Sequence, residues 1–285
     1  MSRVALAIVI NPQKSAADEA VRELTAGLQA RCRLVGPAVD VHSPELARIQ
    51  ADFAIVLGGD GTILTAARGL APLGIPVIGV NLGRLGFLAE FSVAEVIQHF
   101  DKVTSSPELI GERMVLEASV HRRQAGDAFH HVAINDVCAI AGEPFRMIDM
   151  EVRINSQILA RISGDGLVLS TPTGSTAYNM SLGGPILLPH VKGVVVCPIA
   201  PHSLAFRPIV VACDWEIAVR MLKVNSGTRL LVDGQLSTPL AEGDVVELRR
   251  YERDFRLVRN PAVAPWDTLV TKLGWGRRPR YNHKT

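Results

Sequence analysis

Residues 58–62 read Gly-Gly-Asp-Gly-Thr and directly follow the apolar run Phe53-Ala54-Ile55-Val56-Leu57. Three glycines around one carboxylate at the end of a buried strand make a turn that a ligand can approach closely, because no Cβ stands in the way. The amides of such a turn point at phosphate oxygens, and a helix that starts there adds its positive N-terminal end. Ile63 to Gly69 has helical composition, so the order is strand, glycine loop, helix. An acid inside a phosphate cradle is electrostatically out of place unless it takes a proton or faces a magnesium ion. Asp60 is therefore the candidate base, and Gly58, Gly59, Gly61 and Thr62 are the candidate phosphate ligands. A tight strand-to-helix turn with Asp60 as N-cap is the plainer alternative.

A second segment, 164–184, reads GDGLVLSTPTGSTAYNMSLGG. It opens with another acidic glycine turn, Gly164-Asp165-Gly166, followed by a short strand, Leu167 to Ser170. Thr171, Thr173, Ser175, Thr176, Tyr178, Asn179 and Ser181 then crowd a short stretch with hydroxyls and an amide. Groups that both donate and accept can read ribose hydroxyls and the edges of a base or carboxamide. Pro172 and Gly174 break the strand, and a short helix can open from Ser175. The alternative, a Ser/Thr-rich surface loop, fits poorly with the apolar runs on either side. Spacing and composition reach as far as a nucleotide-binding phosphotransferase.

Together the two segments resemble the NAD kinase family. Further motifs carry the resemblance: Asn81-Leu82-Gly83-Arg84-Leu85-Gly86-Phe87-Leu88, Ile134-Asn135-Asp136-Val137, Pro198-Ile199-Ala200-Pro201-His202-Ser203, Val232-Asp233-Gly234-Gln235 and Thr271-Lys272-Leu273-Gly274-Trp275. The resemblance implies transfer of a γ-phosphoryl from ATP, or from polyphosphate, to the 2′-hydroxyl of the adenosine ribose of NAD. Mg²⁺ would arrive with the donor. It implies that Asn81, Gly83 and Phe87 border the substrate crevice and that Asn135-Asp136 matches an Asn-Glu pair holding the adenosine, with Asp where Glu is commoner. Asp165 would contact the nicotinamide carboxamide. Thr173, Thr176, Ala177, Tyr178 and Ser181 would line the dinucleotide, Arg146 would be a basic substrate contact, and Gln235 would be a further one. Ala200 and His202 would reach a neighbouring subunit's site, which implies a homodimer or homotetramer. Ser163 stands where members strict for NAD carry Arg, so NADH is an expected second substrate. A lipid kinase of the diacylglycerol type shares the glycine-acid loop but would need an acyl-binding surface; a phosphofructokinase would want an arginine cluster. A non-catalytic dinucleotide sensor stays open at this point.

Composition narrows the class. Charged residues are 20% and hydrophobic ones 48% of 285 residues, the balance of a soluble globular enzyme. A net charge of +2 argues against a dedicated nucleic-acid binder, and the basic tail from Arg277 to Lys284 is local. Cys32, Cys138, Cys197 and Cys213 have no C-x-x-C spacing and sit in apolar contexts, as buried free thiols of a reducing cytoplasm do. No zinc cluster, signal peptide, transmembrane-length run or Walker A pattern is visible.

The elements that must position these residues fall into two regimes. Residues 1–105 alternate strand and helix: strand Val4–Ile10, helix from about Ala16 to Arg31, strand Phe53–Leu57, strand Ile75–Val80 and a helix near Val93–Phe100. This rhythm predicts a Rossmann-like parallel sheet with ligand loops at the carboxyl ends of its strands. Residues 106–259 show short alternating runs separated by turn residues such as Gly126, Asn155 and Asp233-Gly234, which predicts an all-β domain; the resemblance implies that it binds the dinucleotide. By resemblance, residues 260–285 return to the first domain.

Overall fold

The computed structural model describes residues 3–83, 86–123, 128–264 and 266–274. Arg84, Leu85, Gly126, Trp275 and the basic tail, all singled out above, lie outside the described residues. The first layer is a mixed sheet in the order Cys32–Leu34, Val4–Ile10, Phe53–Leu57, Val77–Val80, Phe255–Val258, Ile110–Arg113, with Val39–Asp40 also beside Val4–Ile10. Only the Ile110–Arg113 edge is antiparallel. Phe53–Leu57 is buried along its whole length because both faces are covered, which is why it reads as an unbroken apolar run. Ala54 and Val56 pack on helix α2 (Asp60–Leu70) through Ile63, Ala67 and Leu70. Phe53, Ile55 and Leu57 face helices α1 (Ala17–Leu28) and α3 (Val93–Ser105) through Leu24, Leu28, Val96 and Phe100. A capping box starts α3: Ser92 N–H donates to Glu95 at 2.7 Å and Glu95 N–H to Ser92 at 3.3 Å. It runs five residues past the expected Phe100 because Val103 still finds the core.

The chain leaves this sheet after Arg113 and re-enters it at Phe255. The first domain therefore reclaims the chain before Asn260, the position expected from the resemblance. Between these points lie two six-stranded antiparallel sheets. One orders Gln157–Gly164, Ile148–Ile154, Ile217–Lys223, Val245–Arg250, Leu116–His121, Phe129–Ala133; the other orders Ile209–Ala212, Gly193–Ile199, Gly166–Ser170, Asp136–Ile140, Arg229–Val232, Leu236–Pro239. Alternate residues of both sheets, such as Leu116, Ala118, Met150, Val152, Val137, Ala139 and Leu167, share one core. The opposite face of the second sheet buries Cys138, Val168, Val195 and Cys197 under Leu182 and Leu187. All four cysteines are buried free thiols. After the return, a short helix α5 (Asp267–Leu273) lies over the first domain's ligand edge. Among the described residues no helix is long and apolar enough to cross a membrane.

Candidate active site

Because Val4–Ile10, Phe53–Leu57 and Val77–Val80 run parallel, the loops that follow them meet at one edge. Gly58 is tight for a packing reason: a Cβ there would come within 2.4 Å of Thr62 Oγ1. Its amide donates to Val80 O at 2.9 Å, and the Thr62 amide donates to Gly59 O at 3.0 Å. Those two amides are engaged inside the fold. Among the described residues the amides of Gly59, Asp60 and Gly61 have no backbone acceptor, as expected for a helix's first turn, and they remain to meet an anion.

Asp60 is not the N-cap of α2; Gly59 holds that place and Asp60 is the first helical residue. The carboxylate reaches across to the next loop instead. Oδ2 accepts from Phe87 N–H at 2.7 Å, and Oδ1 accepts from Leu88 N–H at 2.9 Å and Ala89 N–H at 3.2 Å. A Cβ at Gly86 would lie 1.9 Å from Oδ1, so this loop needs glycine where it meets the acid. The Asn81 side chain accepts from Gly83 N–H at 2.8 Å within its own loop.

The β domain is latched onto α2. Asp233 and Gly234 both take positive φ (51° and 64°) in the turn between Arg229–Val232 and Leu236–Pro239, a backbone that Asp and Gly tolerate best. The turn aims Asp233 at the amides of Ile134, Asn135 and Asp136 (3.0, 2.7 and 3.3 Å) and leaves Arg68 3.4 Å from its other oxygen. Gln235 donates to Gly61 O at 2.8 Å and accepts from Thr65 at 2.8 Å and Arg68 at 2.7 Å. Gly61, Thr65 and Arg68 are spaced four and three apart, so they share one face of α2. Burial and then the neighbouring Asp233 push the Asp136 carboxyl up to about 7. Burial also raises Asp233, but three amide donors and Arg68 oppose it there.

The hydroxyl-dense segment divides into an inner and an outer set. Thr171 donates to Ile134 O at 2.6 Å, Ser175 donates to Pro172 O at 2.6 Å, and Asn179 donates to Ser175 O at 3.0 Å; all three side chains are buried. They hold the loop and cannot read a ligand. Gly174 lets this loop touch Asn135, whose carbonyl oxygen a Cβ would meet at 2.1 Å. Thr173, Thr176 and Ala177 are half-buried, and Tyr178 and Ser181 are exposed. Thr173 Oγ1 is a buried hydroxyl without a partner among the described residues. Thr173 and Thr176 line a slot of about 110 Å³ with Phe87, Pro172, Ile186 and Leu269.

Asp165 lies at the other end of the strand Gly166–Ser170, whose far end pairs with Asp136. Four residue steps separate the ends by roughly 13 Å. Burial raises the Tyr178 phenol pKa, and Cys138, Asp136 and Asp165 raise it further. Ser163 and His202 join Asp165 at that end: His202 N–H donates to Ser163 O at 2.8 Å, and Ser163 Oγ donates to Asp149. Ala200, at φ 40°, and His202 are exposed there. Arg146 is exposed in the loop after Ile140 and its side chain joins neither group.

An open cleft of about 490 Å³ flanks the glycine loop, lined by Asn11, Lys14, His42, Gly59, Gly61, Thr65, Arg68 and Gln235. Its cations face the free loop amides, so it suits an anionic chain. A second concavity of about 470 Å³ lies on the outer face of the first β sheet. Arg249 pairs with Glu117 and His121 contacts Glu247 within it, and none of the expected site residues lines it.

Comparison with known proteins decides the family. Residues 37–108 match the model of the ATP-NAD kinase N-terminal domain, and residues 134–260 match that of the ATP-NAD kinase C-terminal domain. The NAD kinase of Syntrophotalea carbinolica is 42% identical over 244 residues, 86% of this chain and 85% of that one. The chain belongs to the NAD kinase family. The NAD kinase of Heliobacterium modesticaldum is 39% identical over 279 residues, 95% of this chain and 98% of its own. A crystal structure of yeast NADH kinase complexed with NADH superposes with a TM-score of 0.86 at 26% identity, covering 98% of this chain and 90% of that chain. The NAD kinase of Archaeoglobus fulgidus in complex with ATP shares the fold, at a TM-score of 0.73 over 95% and 97% of the two chains. Membership of the NAD kinase family, an enzyme family, sets aside the lipid-kinase, phosphofructokinase and sensor alternatives.

Sequence reasoning missed several residues of this crevice. Asp233 and Lys272 stand in quoted motifs, but no role was read for either. Arg68 had a signal in its spacing from Gly61 and Thr65 along α2. Asn11, Lys14 and His42 had none, because only the sheet brings their loops beside residue 59.

Proposed function

We propose that the chain transfers the γ-phosphoryl of ATP to the 2′-hydroxyl of the adenosine ribose of NAD, giving NADP and ADP. The observation that carries this is the latch: Gln235 and Asp233 join the glycine loop's helix to the Asn135-Asp136 strand end, so donor and acceptor groups face one crevice. The donor's phosphates enter the basic cleft and meet the amides of Gly59, Asp60 and Gly61, with Lys14 and Arg68 offsetting their charge. Asn135 and Asp136 hold the adenosine, Phe87, Thr173, Thr176, Ala177, Tyr178 and Ser181 flank the dinucleotide, and Asp165 takes the carboxamide about one strand length away.

Oδ2 of Asp60 accepts only one amide and keeps a lone pair for the ribose hydroxyl. As that hydroxyl oxygen bonds to the γ-phosphorus, its proton passes to Asp60 and the bond to the departing ADP breaks. Among the described residues no cluster of three His, Cys, Asp or Glu side chains could cage a metal. Magnesium is assigned to the donor as Mg·ATP, where it offsets phosphate charge. Inorganic polyphosphate as an alternative donor, NADH as a second acceptor, a cytoplasmic site and a homodimer or homotetramer in which Ala200 and His202 approach a neighbouring subunit complete the proposal.

The test is incubation with Mg·ATP and NAD, with NADP read by an NADP-specific dehydrogenase, and a parallel arm with polyphosphate. NADP should appear in the ATP arm. Its absence from a folded protein that binds both substrates would overturn the reading.

A further inference from the structure

The C-terminal helix brings a cation to the transfer point. Lys272 Nζ lies 4.4 Å from the centroid of the Phe87 ring. Phe87 is the residue whose amide donates to Asp60 Oδ2 at 2.7 Å. One turn earlier on the same helix, Leu269 forms a wall of the slot that also holds Phe87, Thr173 and Thr176. The helix is therefore a strap over the junction between the glycine loop and the dinucleotide segment. An aromatic face attracts an ammonium but offers no lone pair, so its three N–H donors remain available. Burial lowers the Lys272 pKa and Asp60 raises it again, which puts the ammonium within electrostatic reach of that carboxylate. Asp60 already accepts three amides. With three amides on its carboxylate neighbour and that carboxylate's free lone pair given to the ribose hydroxyl, the ammonium has an incoming anion as its natural partner.

We infer that Lys272 contacts the phosphoryl group once it is on the acceptor, and so distinguishes the phosphorylated dinucleotide from its precursor. This rests on the proposed 2′-phosphorylation beside Asp60. The 2′-phosphate then stands next to the only position where the strap carries a lysine in the described helix. The unphosphorylated ribose offers the ammonium nothing of comparable charge.

The test is direct binding of NAD and NADP, measured by calorimetry on wild type, Lys272→Met and Lys272→Arg. Loss of one charge-assisted contact should weaken NADP binding about 10- to 100-fold in Lys272→Met. NAD binding should change less than about two-fold, and Lys272→Arg should restore most of the NADP affinity. Equal weakening of both ligands would mean the lysine only pins the strap; an unchanged NADP affinity would mean it meets no phosphate. Either result overturns the inference. Should Lys272→Met fail to fold, Lys272→Gln, which keeps a polar tip, carries the same comparison. Wild-type turnover separates the two levels: an active wild type with no Lys272 effect sinks this inference alone, whereas an inactive one sinks the proposed function.

Discussion

Replacing Asp60 by Asn is the usual way to remove a base while leaving its surroundings intact, but the geometry here makes it a structural mutation as well. Oδ2 and Oδ1 together accept three backbone N–H groups, at 2.7, 2.9 and 3.2 Å. A carboxamide has one acceptor oxygen. In its better orientation that oxygen keeps Leu88 and Ala89, and the NH₂ group then points at the Phe87 N–H, donor against donor. One charge-assisted bond is lost, worth about 1.5–3 kcal/mol, and the two that remain fall to neutral strength, near 1 kcal/mol each. The expected destabilisation is roughly 2.5–7 kcal/mol. With a urea slope of about 2 kcal/mol per molar, the unfolding midpoint should fall by about 1–3 M. Turnover should drop by at least the 10²–10⁴ of a lost base. Gly86→Ala supplies the control. Its Cβ would sit 1.9 Å from Oδ1, so it disturbs the same nest with the carboxylate still present. It should reproduce the loss of stability and only part of the loss of turnover. An Asp60→Asn protein whose urea midpoint stays within about 0.3 M of wild type would refute the nest. A Gly86→Ala protein as inactive as Asp60→Asn would refute a separate role as base.

Two further outcomes are expected. Asp136 has its pKa raised by burial and by Asp233 from 3.8 to about 7, so the native state holds a proton that the unfolded chain releases. Its contribution to stability is complete below about pH 4 and is lost as pH rises through about 7, roughly 4 kcal/mol at the upper limit. Asp136→Asn should therefore be the more stable protein at pH 8 and show a flatter profile from pH 5 to 8 in urea titrations, while its KM for NAD rises; parallel profiles for the two proteins would count against a buried carboxyl. Ser163 donates to Asp149, so an arginine placed there gains a fixed counter-ion. Wild type should phosphorylate NADH measurably and Ser163→Arg should favour NAD, judged by kcat/KM for both acceptors on both proteins; a wild-type NADH/NAD ratio under about one per cent, or a ratio the substitution leaves alone, removes Ser163 from the question.

The sequence by itself determined the fold class and the family, and it pointed to two segments for the proposed chemistry. Those are local or periodic signals: an apolar run ending in Gly-Gly-Asp-Gly, alternation of helix and strand, short strands punctuated by turn residues such as Asn155 and Asp233-Gly234, and an uninterrupted S-T-P-T-G-S-T-A-Y string. What it left undecided depends on which groups meet across the chain. Gly58 and Thr62 look like phosphate ligands in sequence, yet their amides close the turn on Val80 and Gly59. Thr171, Ser175 and Asn179 read as ligand-binding hydroxyls and amide, yet burial turns them inward to hold backbone carbonyls. Asp60 reads as a base or a cap, and the tertiary structure adds a third function by laying residues 87–89 across it. Asp233 lies 97 residues from Asp136 in the chain and within hydrogen-bonding distance in space. Gln235 reaches Gly61 across 174 residues. Hydrogen bonds and charge interactions act over a few ångströms, so a partner chosen by sheet topology leaves no mark on the residues beside it in sequence.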